Sequence, residues 1–131
     1  MVPIQHIVFV DDDLDDHHIF STALMELGND IQLSSFHDCQ QLLRFLNDQG
    51  QLPDIIFLDL NMPTFDGRDC LQLLKKEAHL LHIPVIIYST SQHKKDIDLC
   101  YAYGATKYVV KPTSFEKLKE ILKSILGSFE S

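Results

Sequence analysis

Five short apolar runs, each ending near polar residues and followed by a longer stretch with helical spacing, constrain this chain more than any other feature. The runs are His6 to Val10, Ile31 to Phe36, Ile55 to Leu58, Val85 to Tyr88 and Lys107 to Val110. Two of them, IIFL and VIIY, have no polar alternate residue, so both faces of those strands must be covered. Parallel sheets flanked by helices meet that requirement. Between the runs, apolar residues recur at helical spacing: Ile19, Phe20, Ala23, Leu24 and Leu27; Leu42, Leu43, Phe45 and Leu46; Cys70, Leu71, Leu73 and Leu74; Leu118, Ile121, Leu122, Ile125 and Leu126. The spacing predicts helices there, and a further one from a Ser91 cap to near Gly104. Gly28 with Asn29 stops the first helix, Asp38 caps the second, Gly50 to Pro53 breaks it, and Ser114 opens the last. Residues after Leu126 read as a frayed tail. The expectation is a (βα)5 chain with a five-stranded parallel sheet between two helical layers.

Composition narrows the function. A chain of 131 residues with 45% apolar content suits one compact domain over 1–131, with a core from about 4 to 127. A formal charge of -8, with scattered basic residues, excludes nucleic-acid phosphate as the natural partner. Cys39, Cys70 and Cys100 lie far apart without metal-ligand spacing. An odd number cannot complete a disulfide framework, so reduced, buried thiols and a cytoplasmic location are expected. The apolar start from Ile7 to Val10 runs straight into acid, too short for a signal-peptide core, and no run has membrane-spanning length.

The acid after the first run is FVDDDLDD, with five carboxylates in the six positions from Asp11 to Asp16. Like charge at that density raises each carboxyl pKa and is unfavourable unless a cation or a set of donors balances it. Asp13, Asp15 and Asp16 suit a solvated helix start against the positive end of the helix dipole. Asp11 and Asp12 end a strand. In an open parallel sheet the functional crevice lies at the carboxyl ends of the strands, where strand order reverses. Asp11 and Asp12, Asp59, Ser89 with Thr90, and Lys111 followed by Pro112 all stand at such ends. Hard oxygen ligands select magnesium, which commonly sits between carboxylates and phosphate oxygens. Phosphoryl transfer follows as the natural chemistry, with Asp59 as the nucleophile, because a carboxylate is ionised at neutral pH without a general base.

At this point the motifs carry a family resemblance over essentially the whole chain. VDDD, DLNMP followed by F-DG, a hydroxyl residue ending the fourth run, and GATKYVVKP before the last helix resemble a bacterial response-regulator receiver domain of the chemotaxis-regulator type. The resemblance implies a flavodoxin-like sandwich with strand order 2-1-3-4-5. It also implies Asp59 as phosphoacceptor, Asp12 as direct metal ligand, Asp11 as its acidic neighbour and Asn61 as a backbone-carbonyl ligand to Mg2+ or Mn2+. Ser89 matches the switch hydroxyl, Lys111 the phosphoryl-contacting lysine, and Tyr108 the aromatic that changes rotamer with phosphorylation. Thr90 adds bulk beside the phosphoryl position, and Pro112 matches a lysine-proline step that often has a cis peptide bond. The implied role is a phosphorylatable switch rather than a conventional enzyme. A histidine kinase or histidine phosphotransfer protein would be the donor, and a partner protein or a homodimer through α4-β5-α5 would read the output. With no further domain expected, output runs through another chain. The Asp-rich start also resembles receivers that accompany phytochrome-type and hybrid kinases.

Other readings compete at particular residues. Asp11 and Asp13 imitate the D-x-D start of a haloacid-dehalogenase-like phosphatase, but that leaves Asp59, Ser89 and Lys111 unused. A pseudo-receiver keeps the fold without the chemistry, which the intact acidic set opposes. His17 and His18 are adjacent on a helix, point in different directions and do not chelate together. Asp66 and Gly67 suit turn chemistry, Ser91 and Met62 flank the site, and His93, Lys94 and Lys95 form a small basic spot on the fourth helix.

Overall fold

The computed structural model describes residues 4–28, 30–48, 52–62 and 65–130, residue 130 by its backbone alone. Asn29 and Gly50, named above as helix stop and breaker, and Pro63, the last residue of the DLNMP motif, lie outside the described residues. Strands β1 (His6–Val10), β2 (Gln32–Phe36), β3 (Ile55–Leu58), β4 (Val85–Ser89) and β5 (Lys107–Val110) alternate with helices α1 (Leu14–Glu26), α2 (Cys39–Asp48), α3 (Gly67–Lys76), α4 (Lys94–Ala102) and α5 (Phe115–Glu130). The strands form one parallel sheet in the order β2-β1-β3-β4-β5. This is the flavodoxin-like arrangement that the receiver resemblance implies.

Period-two alternation assigns each strand residue to one of two cores. Ile7, Phe9, Ile55, Phe57, Ile86 and Tyr88 pack against α1 and α5, with Phe20, Ala23, Leu118, Leu122 and Ile125. Val8, Val10, Ile56, Leu58, Val85 and Ile87 face α2, α3 and α4, with Leu42, Leu46, Leu71, Leu74 and Cys100. Both faces of β1, β3 and β4 are therefore dry, which is why their sequences lack polar alternates. Polar caps start the helices as their sequences require. Asp13 accepts N–H bonds from Asp15 (2.8 Å) and Asp16 (3.3 Å), Asp38 accepts from Gln41 (2.8 Å), and Ser114 Oγ accepts from Lys117 (3.1 Å). Gly28 and Gly104, at φ +74° and +105°, occupy the left-handed region that ends α1 and follows α4.

Strand order decides where the ends meet. The chain leaves β1 for the outer strand β2 and then returns to β3 on the other side, so β1 and β3 lie side by side with crossovers departing in opposite directions. Val10 pairs with Leu58, and beyond that pair the ladder continues: Asp59 N–H donates to the Val10 carbonyl at 3.0 Å and Asp11 N–H to the Phe36 carbonyl at 3.1 Å. Asp11 and Asp59 therefore emerge next to each other.

Several expectations need correction. Cys39 and Cys70 are joined by a disulfide, whereas reduced thiols were expected; Cys100 is free and buried. The odd count concealed a pair because α2 and α3 cover the same face of the sheet and meet only through the β2-β1-β3 order. Ser91 does not cap α4; its hydroxyl bonds Asp96, and the helix begins three residues later after His93, which makes no side-chain cap bond. The last helix runs to Glu130, and Phe129 packs on the α1–α5 core, so the segment after Leu126 is helical rather than frayed. The Lys111–Pro112 bond is trans, the intrinsically favoured isomer. Ile19, which shares the helical spacing of the α1 core residues, is 41% exposed.

Candidate functional site

The carboxyl edge of the sheet gathers the chemistry. Asp11 is fully buried and Asp59 is 5% exposed, while Asp12 faces solvent. One carboxylate oxygen from each of Asp11, Asp12 and Asp59 lies within 4.8 Å of the others. Asp11 Oδ1 accepts the Asp13 N–H at 3.0 Å, which fixes its carboxylate to the turn between β1 and α1. Lys111, delivered by the end of β5, crosses to this cluster. Its ammonium donates to Asp11 Oδ2 at 2.8 Å and to Asp16 Oδ2 at 2.7 Å, lies 3.7 Å from Asp59 Oδ1, and rests over the Tyr88 ring at 5.5 Å. Asp16 was read as a solvated helix-start acid; it is instead a lysine partner, because α1 turns its first loop toward β5.

The electrostatics follow from four acids and one base sharing an edge at which Asp11 and Asp59 are buried. Burial, then the nearby Asp11, pushes the Asp59 carboxyl up to about 6, against the pull of Lys111 and the Asn61 N–H. Asp11 is also raised, chiefly by burial, and Lys111 opposes the shift. Burial disfavours the Lys111 ammonium, yet its hydrogen bonds to Asp11 and Asp16 and the charge of Asp59 outweigh that and raise its pKa. Tyr88 is pushed to about 12, first by burial and then by Asp16. One ammonium therefore faces more than one negative charge, and the edge is short of positive charge.

That imbalance tests whether the residues fit a divalent cation. They do: hard carboxylate oxygens converge from two adjacent strand ends, one of them solvent-accessible, and the resident lysine leaves negative charge over. Asn61 contributes its backbone directly beyond Asp59, with its N–H toward the Asp59 carboxylate. Gly67 holds this loop close. Its N–H donates to the Leu60 carbonyl at 2.9 Å, and an added Cβ would overlap the Asp59 carbonyl oxygen and sit 2.6 Å from Leu60 Cα. Asp66 caps α3 through the Arg68 N–H at 2.7 Å, as turn chemistry predicts.

The hydroxyl and aromatic residues meet one loop away. Ser89 is fully buried, and its Oγ accepts the Ser91 N–H at 3.1 Å. Tyr108, half-buried on β5, donates its hydroxyl to the Ser91 carbonyl at 2.9 Å. Thr90 is exposed and Pro112 half-buried beside Lys111. His17 does find a second histidine, although not His18: its ring lies 4.8 Å from that of His37, and its Nε2 bonds the Asp11 carbonyl. Sequence separation concealed that pair, since β2 adjoins β1 only in the folded sheet.

Comparison with known proteins fits this geometry. The family model for the response regulator receiver domain matches residues 7–123. The chain belongs to the response-regulator receiver family. Among receiver relatives, it is 34% identical over 120 residues to the two-component response regulator ORR12 of rice (Oryza sativa subsp. japonica), covering 92% of this chain and 97% of that protein. It is 30% identical over 130 residues to response regulator Rcp1 of Synechocystis sp., covering 95% and 86%. The crystal structure of phosphorylated cyanobacterial phytochrome response regulator RcpA superposes with a TM-score of 0.83 at 30% identity, over 93% of this chain and 91% of that one. The Mn2+-bound form of Rcp1 superposes at 0.82 and 28% identity, over 92% and 91%. This receiver is thus a module of two-component signalling. Among the described residues no helix is long and apolar enough to cross a membrane.

Proposed function

We propose that this receiver is a phosphorylatable switch that takes a phosphoryl group from a phosphohistidine onto Asp59. One observation carries the reading: Asp59 is nearly buried, stands among the carboxylates of Asp11 and Asp12, and has the Lys111 ammonium 3.7 Å from its Oδ1. An Asp59 oxygen attacks phosphorus, the O–P bond forms as the P–N bond to the donor imidazole breaks, and the electron pair returns to the ring nitrogen. Asp11, Asp12, Asp59 and the Asn61 carbonyl would hold Mg2+ or Mn2+, which supplies positive charge to the phosphoryl oxygens. Lys111 neutralises charge at the phosphoryl group, and Ser89, with Thr90 beside it, lends a hydroxyl proton to a phosphoryl oxygen. Tyr108, through Ser91, ties that event to β5 and so to the α4-β5-α5 face, by population shift between two arrangements.

The donor is a sensor histidine kinase or a histidine phosphotransfer protein, and the reader is a partner protein or a second copy docked on α4-β5-α5. The phosphorylated module spans 1–131 as one domain acting in the cytoplasm, and it catalyses its own phosphorylation and slow hydrolysis. Intact-protein mass after incubation with a small acyl phosphate, with and without magnesium, tests the chemistry. The expected result is one phosphoryl adduct in the parent with magnesium, and none in Asp59→Asn. A folded, magnesium-binding parent that gains no adduct from the acyl phosphate is a receiver specific for its protein donor or a pseudo-receiver, and one that also gains none from a phosphohistidine protein removes the reading.

A further inference from the structure

The loop between β4 and α4 is held by a chain of polar contacts that the chemistry above does not require. Arg68, in the first turn of α3, contacts both Asp66 oxygens through Nη1 at 3.0 and 2.9 Å and reaches Asp96 Oδ1 through Nη2 at 2.6 Å. Asp96, in the first turn of α4, accepts the Ser91 hydroxyl on its other oxygen at 2.6 Å. Ser91 then makes three more bonds. Its Oγ accepts the His93 N–H at 3.3 Å, its N–H donates to Ser89 Oγ at 3.1 Å, and its carbonyl accepts the Tyr108 hydroxyl at 2.9 Å. Arg68 and Asp96 are each about three-quarters or more covered, so their contact is partly shielded from water.

We infer that Arg68, Asp96 and Ser91 form a clamp that positions the β4–α4 loop for phosphoryl transfer, an inference that rests on Asp59 as phosphoacceptor. The clamp works through Ser91. While Asp96 holds the Ser91 hydroxyl, the Ser91 N–H occupies an acceptor site of Ser89 Oγ, and the Ser89 hydrogen is left to donate toward a phosphoryl oxygen. The Ser91 carbonyl, fixed in the same way, keeps Tyr108 turned inward. At its other end the clamp is anchored one residue from Gly67, which is packed on the Asp59 backbone, so the phosphoacceptor loop and the hydroxyl loop are tied to one ion pair. Both are then arranged before phosphate arrives, and these three residues act as positioning residues without touching the reacting atoms.

The test pairs rate with conformation in Arg68→Gln and Ser91→Ala. Ser91→Ala removes only one oxygen and protects the experiment if Arg68→Gln folds poorly. With a small acyl phosphate and magnesium, each variant is expected to form the Asp59 adduct about tenfold more slowly, the loss of one charge-assisted bond, while magnesium affinity is retained. The double variant is expected to be no slower than the slower single one, since both break one unit. In unphosphorylated fluorotyrosine-labelled protein, the Tyr108 fluorine resonance, assigned by Tyr108→Phe, is expected to move in both variants. An unchanged resonance overturns the clamp, and a moved resonance with an unchanged rate overturns its link to phosphoryl transfer. A parent that forms no Asp59-dependent adduct with either the acyl phosphate or a phosphohistidine protein instead overturns the phosphoacceptor reading, and the resonance still decides the clamp.

Discussion

Asp59 carries two opposed demands. It must be ionised to attack phosphorus, yet burial and two neighbouring acids hold it protonated up to about pH 6. Its folded-state pKa lies above the ordinary 3.8, so the native state binds the proton more tightly than the unfolded chain does, and stability is lost as pH rises from about 4 through 6. At neutral pH the ionised Asp59 costs the metal-free fold about 3 kcal/mol. Asp59→Asn is therefore expected to stabilise metal-free protein by about that amount at pH 7.5 and by almost nothing below pH 4, as measured by urea unfolding with a chelator present. Lys111 shows the converse. Lys111→Met leaves Asp11 buried without its cation and is expected to cost about 3 kcal/mol at pH 7.5 and less below pH 4, because burial raises the Asp11 pKa and lets it take up a proton there. The same urea titration at both pH values checks it. Asp11, Asp12, Asp59 and Lys111 were legible in the sequence because each follows a recognisable apolar run. Asp16 was not, because an acid at a helix start looks alike whether it faces water or a lysine from a strand nearly a hundred residues away.

Helices and loops set the precision of that edge. Gly67 brings α3 onto the loop after β3 so closely that a methyl group there meets the Asp59 and Leu60 backbone. Gly67→Ala is expected to lower stability by about 1–3 kcal/mol and to weaken magnesium binding, because the loop carrying Asp59 and Asn61 must shift; calorimetric titration with magnesium measures the second effect. α2 and α3 are joined by Cys39 and Cys70, 31 residues apart in sequence. Denatured, unreduced protein is expected to expose one reactive thiol, from Cys100, and reduced protein three. Reduction is expected to lower stability by about 4 kcal/mol, the scale of closing a loop of that length, as read from denaturant midpoints with and without reductant. β1, β3 and β4 were legible almost residue by residue, since a parallel strand covered on both faces leaves an apolar run. Helix starts were less so: Ser91 has the right side chain for a cap, and only the position of Asp96 diverts its hydroxyl.

At the scale of the molecule, one sheet holds an excess of negative charge at its carboxyl edge, and folding alone does not relieve it. A divalent cation that binds the folded state alone adds stability by mass action. Magnesium at about 100 times its dissociation constant is expected to add about 2.7 kcal/mol, seen as a rise in Tm that Asp12→Asn largely abolishes. The amino-acid sequence by itself determined the alternation of strands and helices, the layers they bury, and the acids, hydroxyl and lysine at the strand ends, because periodicity and residue chemistry are local properties of the chain. Their meaning as a receiver came with the motifs that those ends spell. Only the tertiary structure decided which ends are neighbours: Asp16 with Lys111, His17 with His37, Cys39 with Cys70, and Arg68 with Asp96 and Ser91. Those contacts join side chains whose distance along the sequence carries no information about their distance in space, and it is the strand order β2-β1-β3-β4-β5, with α1 turned toward β5 on one face and α2, α3 and α4 together on the other, that brings them together.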